Sequence, residues 1–181
     1  MKQIRIHGRG GQGVVTAAEI IAIAAFHEGY YSQAFPHFGV ERSGAPIRSY
    51  ARIAKQPILT REQVERPDIL IIQDHTLLDE PEVLAGINQD TLLIINVPKN
   101  FFLEKNLPTK KIYYTPATEI ALKIIGKNIV NTVILGAFAK HSGLISLSSL
   151  KKAIAEKFKE KGQTIIEKNI QAITTAYQTK L

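Results

Sequence analysis

The chain has 181 residues, 45% of them hydrophobic, with 23 Lys+Arg against 16 Asp+Glu, a formal charge of +7, and no cysteine. That is enough chain for one core without staples; no apolar run approaches the ~20 residues of a membrane helix, and no low-complexity tract points to disorder. Without thiols there is no disulfide framework and no thiolate-held iron–sulfur cluster, and the opening MKQIRIHG is too short and polar for a secretory signal, so a cytoplasmic protein is expected.

Residues 2–7, KQIRIH, alternate polar and apolar and predict a first strand. A helical period follows over 12–27, with Val15, Ala18, Ile21, Ala22 and Ala25 on one stripe. GYYSQAF (29–35) reads as a short second strand, and PHFGVERSGAP (36–46), bounded by prolines, as a loop. In IRSYARIA (47–54), Ile47, Ser49, Ala51 and Ile53 share one face and Arg48, Tyr50 and Arg52 the other, the pattern of a strand with a polar face, expected at a sheet edge. DILIIQD (68–74) and TLLIINVP (91–98) are continuous apolar runs of the buried parallel kind, and KKIYYTP (110–116) is a weaker third. Helices are predicted over about 76–87, 117–126, 130–142, 146–161 and 163–178. Leu147, Leu150, Ile154 and Phe158 form the stripe of one, with Gly162 placed to stop it; Ile166, Ile170, Ile173 and Tyr177 form the stripe of the last. Strands alternating with helices predict a single α/β domain over 1–181, with a largely parallel, Rossmann-like sheet flanked by helices.

Four glycines fall in residues 8–13 of HGRGGQGVV, between the first strand and the first helix. Gly8, Gly10 and Gly13 satisfy G-x-G-x-x-G in the context that motif requires. Absent side chains let a phosphate reach main-chain N–H groups, and the helix turns its positive end toward it. A tight strand-to-helix turn with no ligand is the alternative. An NAD site also needs an acid near the end of the second strand, and GYYSQAF has none; Glu28 lies before it. The positive balance suits an anionic partner, and every arginine lies at or before Arg66, so the first third is where an anion site is expected. The lysines of KKAIAEKFKEKG, interleaved with Glu, read as a solvated helix face. No nucleic-acid motif or single basic face appears.

GRGGQG, FPHFGVERSGAPIRSYARI, NTVILGAFAKHSGLISLSSLKKAI and EKNIQAITTAY together resemble the gamma subunits of pyruvate:ferredoxin oxidoreductases, over essentially the whole chain. GVERSGAP is most similar to the pyruvate branch; related gamma subunits serve other 2-oxoacids. The resemblance implies a multisubunit enzyme that decarboxylates a 2-oxoacid on thiamine diphosphate, sends electrons through iron–sulfur clusters to ferredoxin and delivers the acyl group to coenzyme A. It implies that this chain has no complete active site. Lacking cysteine and any G-D-G motif with a downstream Asn, it leaves the clusters, the thiamine diphosphate and its Mg to partner subunits. What the resemblance assigns here is a part in coenzyme A binding and assembly; a purely structural subunit is the alternative.

Three loops are expected to gather at the carboxyl ends of the strands. The first supplies Gly8, Arg9, Gly10, Gly11, Gln12 and Gly13, whose backbone is expected to take a phosphate. Gln12 either hydrogen-bonds a ligand or neighbouring subunit, or satisfies an amide of its own helix. In the second, Arg42 forms a bidentate pair with a phosphate or a partner's carboxylate, or pairs with Glu41. Ser43 is expected to make a local turn bond, and His37 and, in the third loop, Lys99 to be solvated. Asn131 is expected to cap a helix.

Overall fold

The structure is a computed structural model that describes residues 1–37, 44–103 and 105–179. The apolar alternation at the start becomes Lys2–Arg9 (β1), followed by Val14–His27 (α1), Tyr31–Pro36 (β2) and Pro46–Ala54 (β3). Ile69–Ile72 (β4) leads into a 3₁₀ turn at His75–Asp79 and the one-turn helix Pro81–Leu84 (α2), then Leu92–Asn96 (β5) and Ile112–Thr115 (β6). Four helices complete the chain: Ala117–Ile124 (α3), Val130–Ser142 (α4), Leu147–Lys157 (α5) and Gln163–Gln178 (α6).

The six strands form one sheet in the order β2-β3-β1-β4-β5-β6. β1, β4, β5 and β6 run parallel, with Ile4 opposite Ile69 and Ile71 opposite Ile94, while β3 is antiparallel to both of its neighbours. β4 and β5 are continuously apolar because both of their faces are covered. Ile69, Ile71 and Ile94 pack with α1 and α3–α6 in the larger core, and Leu70, Ile72, Leu93 and Ile95 pack with Leu77, Leu78 and Val83 in a smaller one. The long helices therefore lie on one face, and the other is closed by short helical turns and irregular chain.

Some expectations are corrected. The buried stripe of α1 is Val14, Ala17, Ala18, Ile20, Ile21, Ala24 and Ala25, so Val15 and Ala22 sit at its margin. The helix predicted over 76–87 is broken, because Asp74 accepts from the Thr76 amide to start a 3₁₀ turn and Pro81 has no N–H to continue one ladder into the next. The helix from Ser146, whose side chain does cap Ser149 N, ends at Lys157 rather than at Gly162; a second 3₁₀ turn intervenes. β3 is not an edge strand: β2 lies outside it, and Tyr50 and Arg52 are buried because residues 62–63 cover them. Tyr50 Oη donates to Gln63 Oε1 at 3.2 Å, and Arg52 Nη2 donates to the Glu62 carbonyl.

Candidate functional site

Consecutive strands lead away from β1 and β4 in opposite directions, one path through α1 to β2 and β3, the other to β5 and β6. An open α/β sheet forms its ligand crevice where such paths diverge, beyond the carboxyl ends of the strands. The segments there are residues 9–13 after β1, 73–76 after β4 and 97–100 after β5, joined by Gly44 and Ala45 at the start of β3.

Arg9 gathers three of them. Its Nε donates to Asp74 Oδ2 at 3.0 Å, its Nη2 to Thr76 Oγ1 at 2.7 Å and its Nη1 to the Gly44 carbonyl at 3.3 Å. Burial would push the Asp74 carboxyl up, but the hydroxyl and amide of Thr76 and the Arg9 guanidinium outweigh it and hold the group below the usual carboxylate range. Arg9 is thus a fixed cation, one third exposed, rather than a free arm.

The main chain of the loop is only partly open. Arg9 N donates to Gln12 Oε1 at 2.8 Å, Gly10 N to Ala45 O at 2.8 Å, and Gln12 N to Arg9 O at 2.9 Å. Gln12 therefore satisfies an amide of its own loop. What stays uncapped is the start of α1: its N-cap, Gly13, has left-handed φ of 68° and no side chain to offer, so among the described residues no side chain caps the amides of Val14, which is fully buried, or of the partly buried Val15 and Thr16. Gly11, also left-handed at φ 92°, faces open space where a Cβ would project.

The glycines answer to different demands. A Cβ on Gly8 would fall 2.6 Å from Val14 Cγ2 and 3.0 Å from both Gln12 Oε1 and Gln73 Oε1, and one on Gly13 would strike the Asn131 amide. Packing alone accounts for Gly8, and packing together with its left-handed φ for Gly13. The uncapped helix end and Gly11 are the features that suit an anion.

Asn131 does not cap α4, whose N-cap is Ile129; its Nδ2 donates to Gly13 O at 3.3 Å across the crevice. Lys99 pairs with Glu119 at 3.3 Å while staying largely exposed. His37, half-buried, donates its main-chain N–H to the Arg48 carbonyl, and burial followed by the Arg48 charge pushes its imidazole below the ordinary value. Arg42, with Glu41 and Ser43, lies outside the described residues. Residues that sequence reasoning missed are Gln73, Asp74, Thr76, Asn96 and Thr118. Asn96 Nδ2 donates to Gln73 O at 2.9 Å and to Thr118 Oγ1 at 2.9 Å, and Thr118 N donates back to Asn96 Oδ1 at 3.1 Å. The available signal was a polar residue directly after each buried apolar strand, Gln73 after β4 and Asn96 ending β5.

Among the described residues no cluster of three or more His, Cys, Asp or Glu is placed to hold a metal ion, and no helix is long and apolar enough to cross a membrane. The family model described as pyruvate ferredoxin/flavodoxin oxidoreductase matches residues 3–179. The chain belongs to that family. It is 49% identical over 178 residues to pyruvate synthase subunit PorC of Methanothermobacter marburgensis, covering 98% of this chain and 97% of the relative. It is 46% identical over 181 residues to the common gamma subunit of the pyruvate/ketoisovalerate oxidoreductases of Pyrococcus furiosus, with 98% and 96% covered. Among solved structures of the family, pyruvate oxidoreductase subunit PORC of Thermotoga maritima superposes with a TM-score of 0.84 at 37% identity, covering 98% of this chain and 95% of that one. The 2-oxoglutarate:ferredoxin oxidoreductase of Magnetococcus marinus, solved with 2-oxoglutarate, coenzyme A and succinyl-CoA bound, shares the fold at a TM-score of 0.76 and 21% identity, over 97% of this chain and 30% of that one.

Proposed function

We propose that this chain is the gamma subunit of a pyruvate:ferredoxin oxidoreductase complex and that its part is to help bind coenzyme A while the other subunits carry the chemistry. In such a complex pyruvate is decarboxylated, its acyl group passes to the coenzyme A thiol, and the electrons released reduce ferredoxin. Thiamine diphosphate, Mg and the iron–sulfur clusters belong to the partners; a chain without cysteine has no thiolate for a cluster. A cytoplasmic location goes with this reading.

One observation carries the coenzyme A assignment: the N-terminus of α1, left without a side-chain cap at Gly13 and preceded by the open Gly11, beside the fixed cation Arg9. Helix amides and a guanidinium together suit a diphosphate. The other 2-oxoacids remain open to this subunit type, because one relative is named as common to pyruvate and ketoisovalerate enzymes.

The internal bonds of Arg9, Gly10 and Gln12 favour a second reading, in which the loop is a rigid platform for a neighbouring subunit. Arg9→Ala in the assembled complex separates the two. Losing a charge-assisted contact worth about 1.5–3 kcal/mol would raise KM for coenzyme A roughly ten- to hundredfold, with KM for pyruvate unchanged. A complex that assembles poorly yet keeps its KM for coenzyme A speaks for the platform instead.

A further inference from the structure

Gln73 is fully buried, and among the described residues neither polar atom of its side chain has a hydrogen-bond partner. Its main chain is held from both sides, the N–H by the His7 carbonyl at 2.8 Å and the carbonyl by Asn96 Nδ2 at 2.9 Å. The side chain is therefore rigidly presented but unsatisfied, a condition that native proteins rarely tolerate without a reason. Its Oε1 points into the wedge between the end of β1 and the start of α1, 3.0 Å from the position a Cβ on Gly8 would take. Gln12 Oε1 lies 3.0 Å from that same position. Two acceptors face one small space. Turning the Gln73 amide over would place its Nε2 where it faces Gln12 Oε1, an acceptor that already receives the Arg9 N–H.

Gln12 is the cover. It is only half-buried, and it is tied by one bond to Arg9 N and by a weak one of 3.4 Å from its Nε2 to Asp74 Oδ2. Swinging it aside frees the Arg9 amide and removes the acceptor that faces the same space as Gln73 Oε1.

We propose that Gln73 is a further ligand-binding residue of this crevice, engaged when Gln12 is displaced, and that it reads a group beside the bound phosphate carrying both a donor and an acceptor. A bare phosphate would satisfy Nε2 and leave Oε1 unpaired; a hydroxyl or amide next to the phosphate satisfies both. This inference rests on the reading that the crevice takes coenzyme A, whose diphosphate is flanked by such groups. The unpaired amide lowers the stability of the empty subunit and strengthens the ligated one, which a residue of purely structural purpose does not do.

The test is Gln73→Met in the assembled complex, with Arg9→Ala alongside. Methionine fills a similar volume without polar atoms, so the thermal midpoint should stay unchanged or rise, while KM for coenzyme A rises about tenfold. If instead the midpoint falls by several degrees and KM keeps its wild-type value, Gln73 is a structural group satisfied by buried water, and the proposal is wrong. If Arg9→Ala raises KM and Gln73→Met does not, the anion site stands and the role of Gln73 falls. If neither raises it, the coenzyme A assignment fails and takes this inference with it. Should Gln73→Met not assemble, Gln73→Asn withdraws the same amide by one methylene: a raised KM supports the role, and a wild-type KM overturns it.

Discussion

Gly13 does two jobs that no other residue type can do at once. Its φ of 68° lies in the left-handed region, where an L side chain costs about 1–2 kcal/mol, and the space beside it is filled by the Asn131 amide. Gly11 shares the left-handed φ, at 92°, but has nothing within 4 Å of its missing Cβ. Gly11→Ala should therefore cost about 1–2 kcal/mol of backbone strain alone. Gly13→Ala should cost about 1–2 kcal/mol more, since Asn131 must also give way. Chemical denaturation of the two variants measures the difference, and equal losses would show that the Asn131 contact yields freely.

Arginine in this sequence serves structure as much as binding. Arg5 of β1 is buried and sends Nη1 to the carbonyls of Val64 and Glu65, at 3.3 and 3.0 Å, and Nη2 to those of Val83 and Ala85, at 3.0 and 2.5 Å. It fastens the irregular 62–66 segment and the end of α2 to the sheet face that lacks long helices. Arg52 does the same for Glu62 from β3. Burial pushes the Arg5 guanidinium below its ordinary value, yet four carbonyl acceptors hold its two Nη groups without any carboxylate, while among the described residues its buried Nε has no partner. Arg5→Leu would leave those carbonyls to find water, for a loss of about 3 kcal/mol or more. Hydrogen exchange should quicken in residues 62–66 and 81–86 and stay slow in α4 and α6. Uniform acceleration would contradict the clamp.

The whole molecule should weaken in mild acid, and His7 is the chief reason. It is 3% exposed on β1, and burial first, then the charges of Arg5, Arg48 and His37, pushes its imidazole from 6.5 to about 3. Between those values the unfolded chain takes up a proton that the folded chain refuses. Stability is therefore full above about pH 6.5 and falls as pH drops toward 3, by up to about 1.4 kcal/mol per pH unit from this residue. The lowered imidazoles of His37 and His141 act in the same direction, and so does the lowered Asp74 carboxyl once pH falls through its folded pKa. His7→Gln removes the largest contribution, so its stability should change less between pH 6.5 and 4.5 than that of the parent. Parallel denaturation curves across that range would remove His7 from the account.

Local pattern alone determined the α/β class, the buried parallel strands β4 and β5, and the position of the glycine loop, because continuous apolar runs and a strand–glycine–helix junction are properties of neighbouring residues. The same reasoning overreached at Arg52 and at Asn131. A buried arginine and a surface one look alike until the segment that covers them is in place, and Asn131 meets Gly13 only because α4 packs beside the start of α1. Gln73 and Asp74 were legible as the end of a strand, but not as neighbours of Arg9 and Gln12, which stand more than 60 positions earlier. The pairing of β1 with β4 made them so, and which strands pair is decided by the packing of the whole sheet, which no short stretch of sequence contains.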